Sequence, residues 1–252
     1  LLYAHRGAAA ELPENTMRAF ARAIEIGVDA IETDVHMTRD GHVVISHDPT
    51  GERMANAPAA WRDIDLADAR RLDLGWGFVA ADGTRPHAAC GIGICTLEEA
   101  LVEFSTVRFN VDLKQAAPSI VEPVLAVLAR TRAAERVTLA SFRYRTLREV
   151  RRRGHADTAL SRAEVAALIA TPDAIWKRMF RTGTAAQIPV NAGPVRLDRA
   201  DFIARCHRLG LRVDFWTIDD RADAARLLAL GADGIMTNDP AAIAPLFRDA
   251  RV

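Results

Sequence analysis

Long apolar runs are missing from this chain of 252 residues. No stretch of about 18 apolar residues occurs, so a membrane-spanning helix is not indicated. Excess charge is missing as well. The 33 Lys and Arg side chains balance 33 Asp and Glu. A neutral balance offers no global attraction for nucleic acid or for an anionic membrane. Cysteine is scarce. Cys90, Cys95 and Cys206 are too few and too irregularly spaced for a disulfide framework, and they read as reduced thiols. Cys206 falls on the apolar face of a helical pattern. No G-x-G-x-x-G follows the first apolar run, which weakens the case for a dinucleotide-binding open sheet. No low-complexity linker divides the chain. No secretory signal precedes "LLYAHRG". An initiator Met is also lacking, so a leader could have been removed. The expected setting is the cytosol, with a small-molecule partner, no nucleic acid and no stable membrane association. The one concentrated basic run, "RYRTLREVRRRG", reads as a solvated helix face.

What is present is a regular alternation. Half of the residues are apolar, enough at this length for a substantial core. Short apolar runs such as "LLYA", "VDAIETDV", "VRFNVDL", "RVTLAS", "DTALS", "AAQIPV", "LRVDFWT" and "ADGIMT" each precede a stretch of helical period. The first such stretch, "NTMRAFARAIEIG", has Asn15 as a candidate N-cap and Gly27 as a stop. About eight strand–helix units imply parallel pairing, and the expected fold is an α/β (β/α)₈ TIM barrel filling residues 1–252. Residues 51–94 break the rhythm. They read as a small insertion over the C-terminal rim of the barrel, carrying Trp61, Trp76 and Phe78. Those rings either pack together as a satellite core or turn one face to the mouth.

Barrel active sites sit at the C-terminal ends of the strands. Polar residues collect at those ends here: His5, Arg6, Glu32, Asp34, Asp112, Lys114 and Trp216. Glu32 and Asp34 are two apart, so on a strand they share a face, where neighbouring carboxylates repel. A divalent cation removes the conflict. Asp112 and Lys114 repeat the spacing. The stretch "VHMTRDGHVV" reads as a hairpin with Asp40-Gly41 as a two-residue turn. Paired residues then sum to 81, which sets Asp34 opposite His47. His36 would share the face of Asp34 in a peripheral role. His42 belongs to the turn, and His87, His155 and His207 lie away from the rim. Three carboxylates offer oxygen-only donors, suited to Mg²⁺ or Ca²⁺. With Arg6 and Lys114 they make a cationic pocket fit for a phosphate ester. Two histidines can divide the proton work near neutral pH.

The segments "HRG", "PENTMRAF", "IETDVHMTRDGHVVISHD", "TLEEAL", "NVDLK", "ASF", "VDFWTIDD" and "LGADGIMTNDP" together resemble the glycerophosphodiester phosphodiesterase family, in order and across nearly the whole chain. The resemblance implies a (β/α)₈ barrel that hydrolyses glycerophosphodiesters to glycerol 3-phosphate and an alcohol, using Mg²⁺ or Ca²⁺. It implies His5 and His47 as the acid/base pair and Glu32 and Asp34 as metal ligands. It places Asp112 at the third ligand position, Arg6 and Lys114 on the phosphate, and Trp216 beside the substrate. Three positions depart from the family pattern: Asp112 stands where Glu is usual, Cys95 where Pro is usual, and Arg143 where an acidic residue is usual. A phospholipase D-like enzyme acting on lysophospholipids or sphingomyelin is the alternative on the same scaffold. A non-catalytic phosphodiester-binding module is the alternative of another class.

Overall fold

The structure, a computed structural model, describes residues 1–179 and 183–248. Among these residues ten strands follow in chain order: β1 (Leu2–His5), β2 (Ala30–Met37), β3 (Val43–Ile45), β4 (Arg108–Leu113), β5 (Val137–Ala140), β6 (Ala185–Ile188), β7 (Asn191–Ala192), β8 (Val195–Arg196), β9 (Arg212–Phe215) and β10 (Gly234–Thr237). Seven of them form a curled sheet in the order β5-β4-β2-β1-β10-β9-β6, every neighbouring pair parallel. Its two edges meet through single bridges, Leu139 to Thr158 and Ala159 to Ala185. Backbone bonds run from Ala159 N to Leu139 O (3.0 Å) and from Leu160 N to Ala185 O (2.8 Å). The run "DTALS" is therefore an eighth stave of minimal length, and the barrel closes through it.

The helices are α1 (Met17–Ile26), α2 (Glu52–Ala55), α3 (Leu66–Ala69), α4 (Leu97–Glu103), α5 (Val121–Thr131), α6 (Tyr144–Arg152), α7 (Arg162–Ala170), α8 (Asp173–Met179), α9 (Ala200–Arg208), α10 (Arg221–Ala229), α11 (Pro240–Ile243) and α12 (Pro245–Arg248). Strand alternation sorts side chains between the barrel interior and the helix layer. On β4, Phe109, Val111 and Leu113 join the apolar cluster under α1, α4 and α5, while Asn110 and Asp112 belong to the other face. Phe20 of α1 meets the Phe109 ring edge-on at 6.2 Å. The same alternation on β2 sets Ile31 and Val35 outward and Glu32 and Asp34 inward.

Several local expectations are corrected. The β2–β3 hairpin pairs Val35 with Ile45 and Met37 with Val43, a sum of 80 rather than 81. Thr38 N donates to His42 O, leaving a three-residue loop, 39–41. A two-residue type I′ turn needs positive φ at both central residues. In this loop only Gly41 has it, at 86°. Asp34 is thus opposed by Ser46, whose N–H donates to Asp34 O at 2.9 Å. The N-cap of α1 is Thr16, whose Oγ1 accepts from Ala19 N, while Asn15 turns its side chain elsewhere. In the Arg-rich run, Arg151 is not solvated. It reaches Thr158 Oγ1 (2.8 Å), Ala159 O (3.0 Å) and the buried Glu164 (2.6 Å).

Residues 51–94 leave and rejoin the barrel at the rim and pack around a small apolar cluster of Met54, Trp61, Leu66, Ala69 and Leu74 on Val44 and Ile94. Trp61 is fully buried and its Nε1 donates to Asp48 O. Arg85 lies over the Trp76 ring at 3.8 Å, and Phe78 packs on His87 at 5.0 Å. The three rings are occupied within the insertion.

Candidate active site

His5, Arg6, Glu32, Asp34, His47, Asp112, Lys114 and Trp216 all line one cavity of about 560 Å³ at the C-terminal end of the barrel. Register explains the inner group. His5 is the neighbour of Glu32 across β1 and β2, and Asp34 is the neighbour of Asp112 across β2 and β4. His47 arrives by a different route from the one the hairpin count suggests. The ladder ends at Ile45, and Ser46 Oγ bonds to Asp48 O at 3.0 Å, which turns the chain so that His47 joins the cavity. His36 supports it, its Nε2 lying 3.2 Å from His47 O.

The carboxylates are crowded and buried. Asp34 is 1% exposed and Glu32 6%. The Lys114 ammonium sits between Asp34 Oδ1 (2.9 Å) and Asp112 Oδ2 (2.7 Å). Arg6 Nε stands 3.4 Å from Asp34 Oδ2. Burial opposes ionisation of Asp34, but Lys114 and Arg6 outweigh it and hold its carboxyl below the usual value. Glu32 has less help. Burial, and then the charge of Asp34, push its carboxyl well above the usual value. Burial raises Asp112 too, against the pull of Lys114. Glu32 Oε2 and Asp112 Oδ1 are buried without a hydrogen-bond partner. As they stand, no three His, Cys, Asp or Glu side chains among the described residues close into a cage for an ion. The donor set nevertheless suits a hard cation: oxygen ligands, two of them unpartnered, around a point where a lysine ammonium already supplies positive charge.

Each histidine is held by Nδ1. In His5 it bonds Asn238 Oδ1 at 2.7 Å. The amide of Asn238 faces that way because its Nδ2 donates to Asp219 Oδ2 (2.9 Å). In His47 it bonds Asp48 Oδ1 at 2.8 Å. With Nδ1 as donor in both rings, Nε2 is the nitrogen left to take up or give a proton. Burial and the nearby Arg6 lower the pKa of His5, favouring the neutral ring.

Behind the cavity runs a chain of alternating charge that the sequence did not reveal. Glu14 Oε1 accepts from Arg6 Nη1 (3.1 Å) and from Arg53 Nη2 (2.6 Å). Arg53 Nε then donates to Asp48 Oδ2 at 2.5 Å, and Asp48 holds His47. Arg53 is the first helix's contribution from the 51–94 insertion. Asn15 adds a bond to Asp34 Oδ2 (3.1 Å) and accepts from Thr33 Oγ1 (2.7 Å). Arg6 and Asn15 both take left-handed backbone, φ 59° and 58°, a conformation that costs non-glycine residues of order 1 kcal/mol or more. They are pinned to each other by Asn15 N to Arg6 O at 2.9 Å. Neither periodicity nor spacing could have linked Glu14 to Arg53, 39 residues away.

Residues 5–242 match the model of the glycerophosphoryl diester phosphodiesterase family. This chain belongs to that family. A glycerophosphodiester phosphodiesterase of Caldanaerobacter subterraneus subsp. tengcongensis is 30% identical, with 98% of each chain covered. A Mycobacterium tuberculosis protein named "Probable glycerophosphodiester phosphodiesterase 2" is 34% identical, covering 99% of this chain and 89% of its own. In fold, a solved glycerophosphoryl diester phosphodiesterase domain from M. tuberculosis matches with TM-score 0.85 at 20% identity, 98% of each chain covered. An Oleispira antarctica phosphodiesterase solved with the product sn-glycerol-3-phosphate matches with TM-score 0.78 at 22% identity, covering 98% of this chain and 96% of its own. The fold of this phosphodiesterase family member is thus shared with solved structures at 20% and 22% identity. No helix among its described residues is long and apolar enough to cross a membrane.

Proposed function

We propose that this chain hydrolyses glycerophosphodiesters to glycerol 3-phosphate and an alcohol, with Mg²⁺ or Ca²⁺ held by Glu32, Asp34 and Asp112. The observation that carries the reading is the joint one: two histidines fixed by Nδ1, two cationic arms and three buried carboxylates line a single cavity. When bound, the cation supplies Lewis acidity and offsets charge at the phosphoryl oxygens. Glu32, Asp34 and Asp112 would hold that cation, and Lys114 and Arg6, which line the same cavity, bind the phosphoryl group. His5 and His47 form the acid/base pair. One ring, unprotonated at Nε2, takes a proton from the nucleophile; the other enters the step as the imidazolium and gives its Nε2 proton to the leaving alkoxide, which an ordinary alcohol requires. Trp216 borders the substrate. The retention of both histidines in the cavity disfavours a module that only binds. Phosphorus NMR on a panel of glycerophosphodiesters tests this. Appearance of glycerol 3-phosphate with Mg²⁺ or Ca²⁺, and its loss with chelator, is the expected result; no turnover with any metal rejects it.

One observation supports the lysophospholipid reading as well. Val165, Ala166 and Ile169 of α7, with Ile188 and Pro189, give the cavity an apolar wall. That wall suits an acyl chain on the glycerol. Comparing lysophosphatidylcholine with glycerophosphocholine changes only the chain and decides between them.

A further inference from the structure

The outer lip of the cavity carries charge of one sign. Among the described residues, the carboxylates lining the cavity are Glu32, Asp34 and Asp112, all in the inner cluster. The inner cations are already engaged there, Lys114 with Asp34 and Asp112, Arg6 with Asp34 and Glu14. Arg162 differs. It opens α7, is exposed, lines the cavity, and has no carboxylate partner among the described residues. Its Cζ lies 6.0 Å from the centre of the Phe142 ring.

Phe142 is 49% exposed at the lip. It meets Trp216 in an edge-on pair at 5.9 Å. A cationic headgroup would ordinarily seek such rings. Here the rings are committed. Lys114 Nζ stands 5.4 Å from the Phe142 centre, Arg162 flanks it too, and Trp216 packs against the cluster of Tyr3, Ala30 and Met236. The next residue, Arg143, is also exposed. A quaternary ammonium on the Phe142 face would share it with the Arg162 guanidinium, and no carboxylate lines the cavity outside the inner cluster that already holds Lys114.

We infer that the lip selects the leaving alcohol by charge, with Arg162 favouring an alcohol that bears an anionic group over one that bears a quaternary ammonium. The inference rests on the phosphodiesterase reading above and names the substrate class within it. Binding of the anionic group desolvates a guanidinium that has no competing partner, so recognition adds no broken ion pair.

The test compares kcat/KM for three substrates: bis(glycerophospho)glycerol, whose leaving group keeps a second phosphodiester; glycerophosphoglycerol, which is neutral there; and glycerophosphocholine. At about 0.02 M salt the anionic substrate should exceed the choline ester by tenfold or more, and about 0.5 M salt should compress the ratio. Arg162→Gln should lower the ratio and Arg162→Glu should bring it to one or below. The acidic variant suits its position, since a carboxylate in the first turn of a helix is favourable. A wild-type preference for the choline ester, or a ratio that neither variant moves, overturns the charge selection. Failure to turn over any of the three instead overturns the phosphodiesterase reading on which it stands.

Discussion

Glu32 and Asp112 each keep a buried oxygen without a partner, and an orphaned buried polar atom costs roughly 1–3 kcal/mol, more when charged. A cation that satisfies both should therefore stabilise the fold, independently of turnover. At about 100 times its Kd the gain is ~2.7 kcal/mol, or roughly 5–10 °C in Tm for a chain of this size. Thermal unfolding with Mg²⁺ or Ca²⁺ should show that rise in the wild type and much less of it in Glu32→Gln and Asp112→Asn. An equal rise in all three would place the ion elsewhere. The histidines are tested by turnover. His5→Ala and His47→Ala should each lower kcat by ~10²–10⁴-fold, and near-normal kcat in either would make that ring structural. The cysteines separate by exposure. Cys90 is exposed, whereas burial raises the thiols of Cys95 and Cys206 to about 12. A maleimide should label one thiol in the folded protein and three after denaturation; rapid labelling of all three when folded would contradict the burial.

Between elements, the decisive links are the ones that cross the chain. Arg53, on α2, ties Asp48 beneath His47 to Glu14 beneath Arg6. Removing it leaves two carboxylates near each other and frees both arms. Arg53→Ala should lower kcat by about tenfold or more with secondary structure intact, and Arg53→Lys, able to meet only part of the fork, should recover part of the loss. Unchanged kcat in Arg53→Ala would reduce the chain to surface decoration. How much of this was legible in the sequence follows from the physics of each element. On β4 the alternation of Phe109, Asn110, Val111 and Asp112 is set by the two-residue period of a strand, so the inward carboxylate could be read directly. The hairpin register could not. It turns on which loop residue takes positive φ, and only Gly41 does. His47 reaches the cavity because the chain leaves the ladder at Ser46, an event with no periodic signal. Glu14, Asp48 and Asn238 stand inside the quoted segments, but their partners could not be read there, nor could the role of Arg53, because contacts between distant loops obey geometry rather than spacing. The rings of Trp61, Trp76 and Phe78 announced a cluster but not its direction, and they turned into the insertion.

For the molecule as a whole, the (β/α)₈ plan was readable because eight apolar runs each precede a helical one, and parallel pairing then has few topologies available; the family was readable only through the resemblance of the motif segments. The length of the stave at "DTALS" was not, since its pairing is completed by Arg151, whose sequence context reads as surface charge. That stave has a consequence in the time domain. Most barrel seams are ladders, as where β2 and β4 pair from Ala30 with Arg108 to Val35 with Leu113; this one is two bridges and an arginine. In deuterium exchange, the amides of Ala159 and Leu160 should lose protection well before that of Val111 in the middle of β4. Arg151→Ala should widen the gap, and equal protection at both places would show the seam to be as firm as the rest. Because α7 begins two residues beyond Leu160, the cavity wall that it carries is hung on the least protected joint of the barrel. A bound phosphodiester should slow exchange there first, so the seam reports occupancy of the site from outside it.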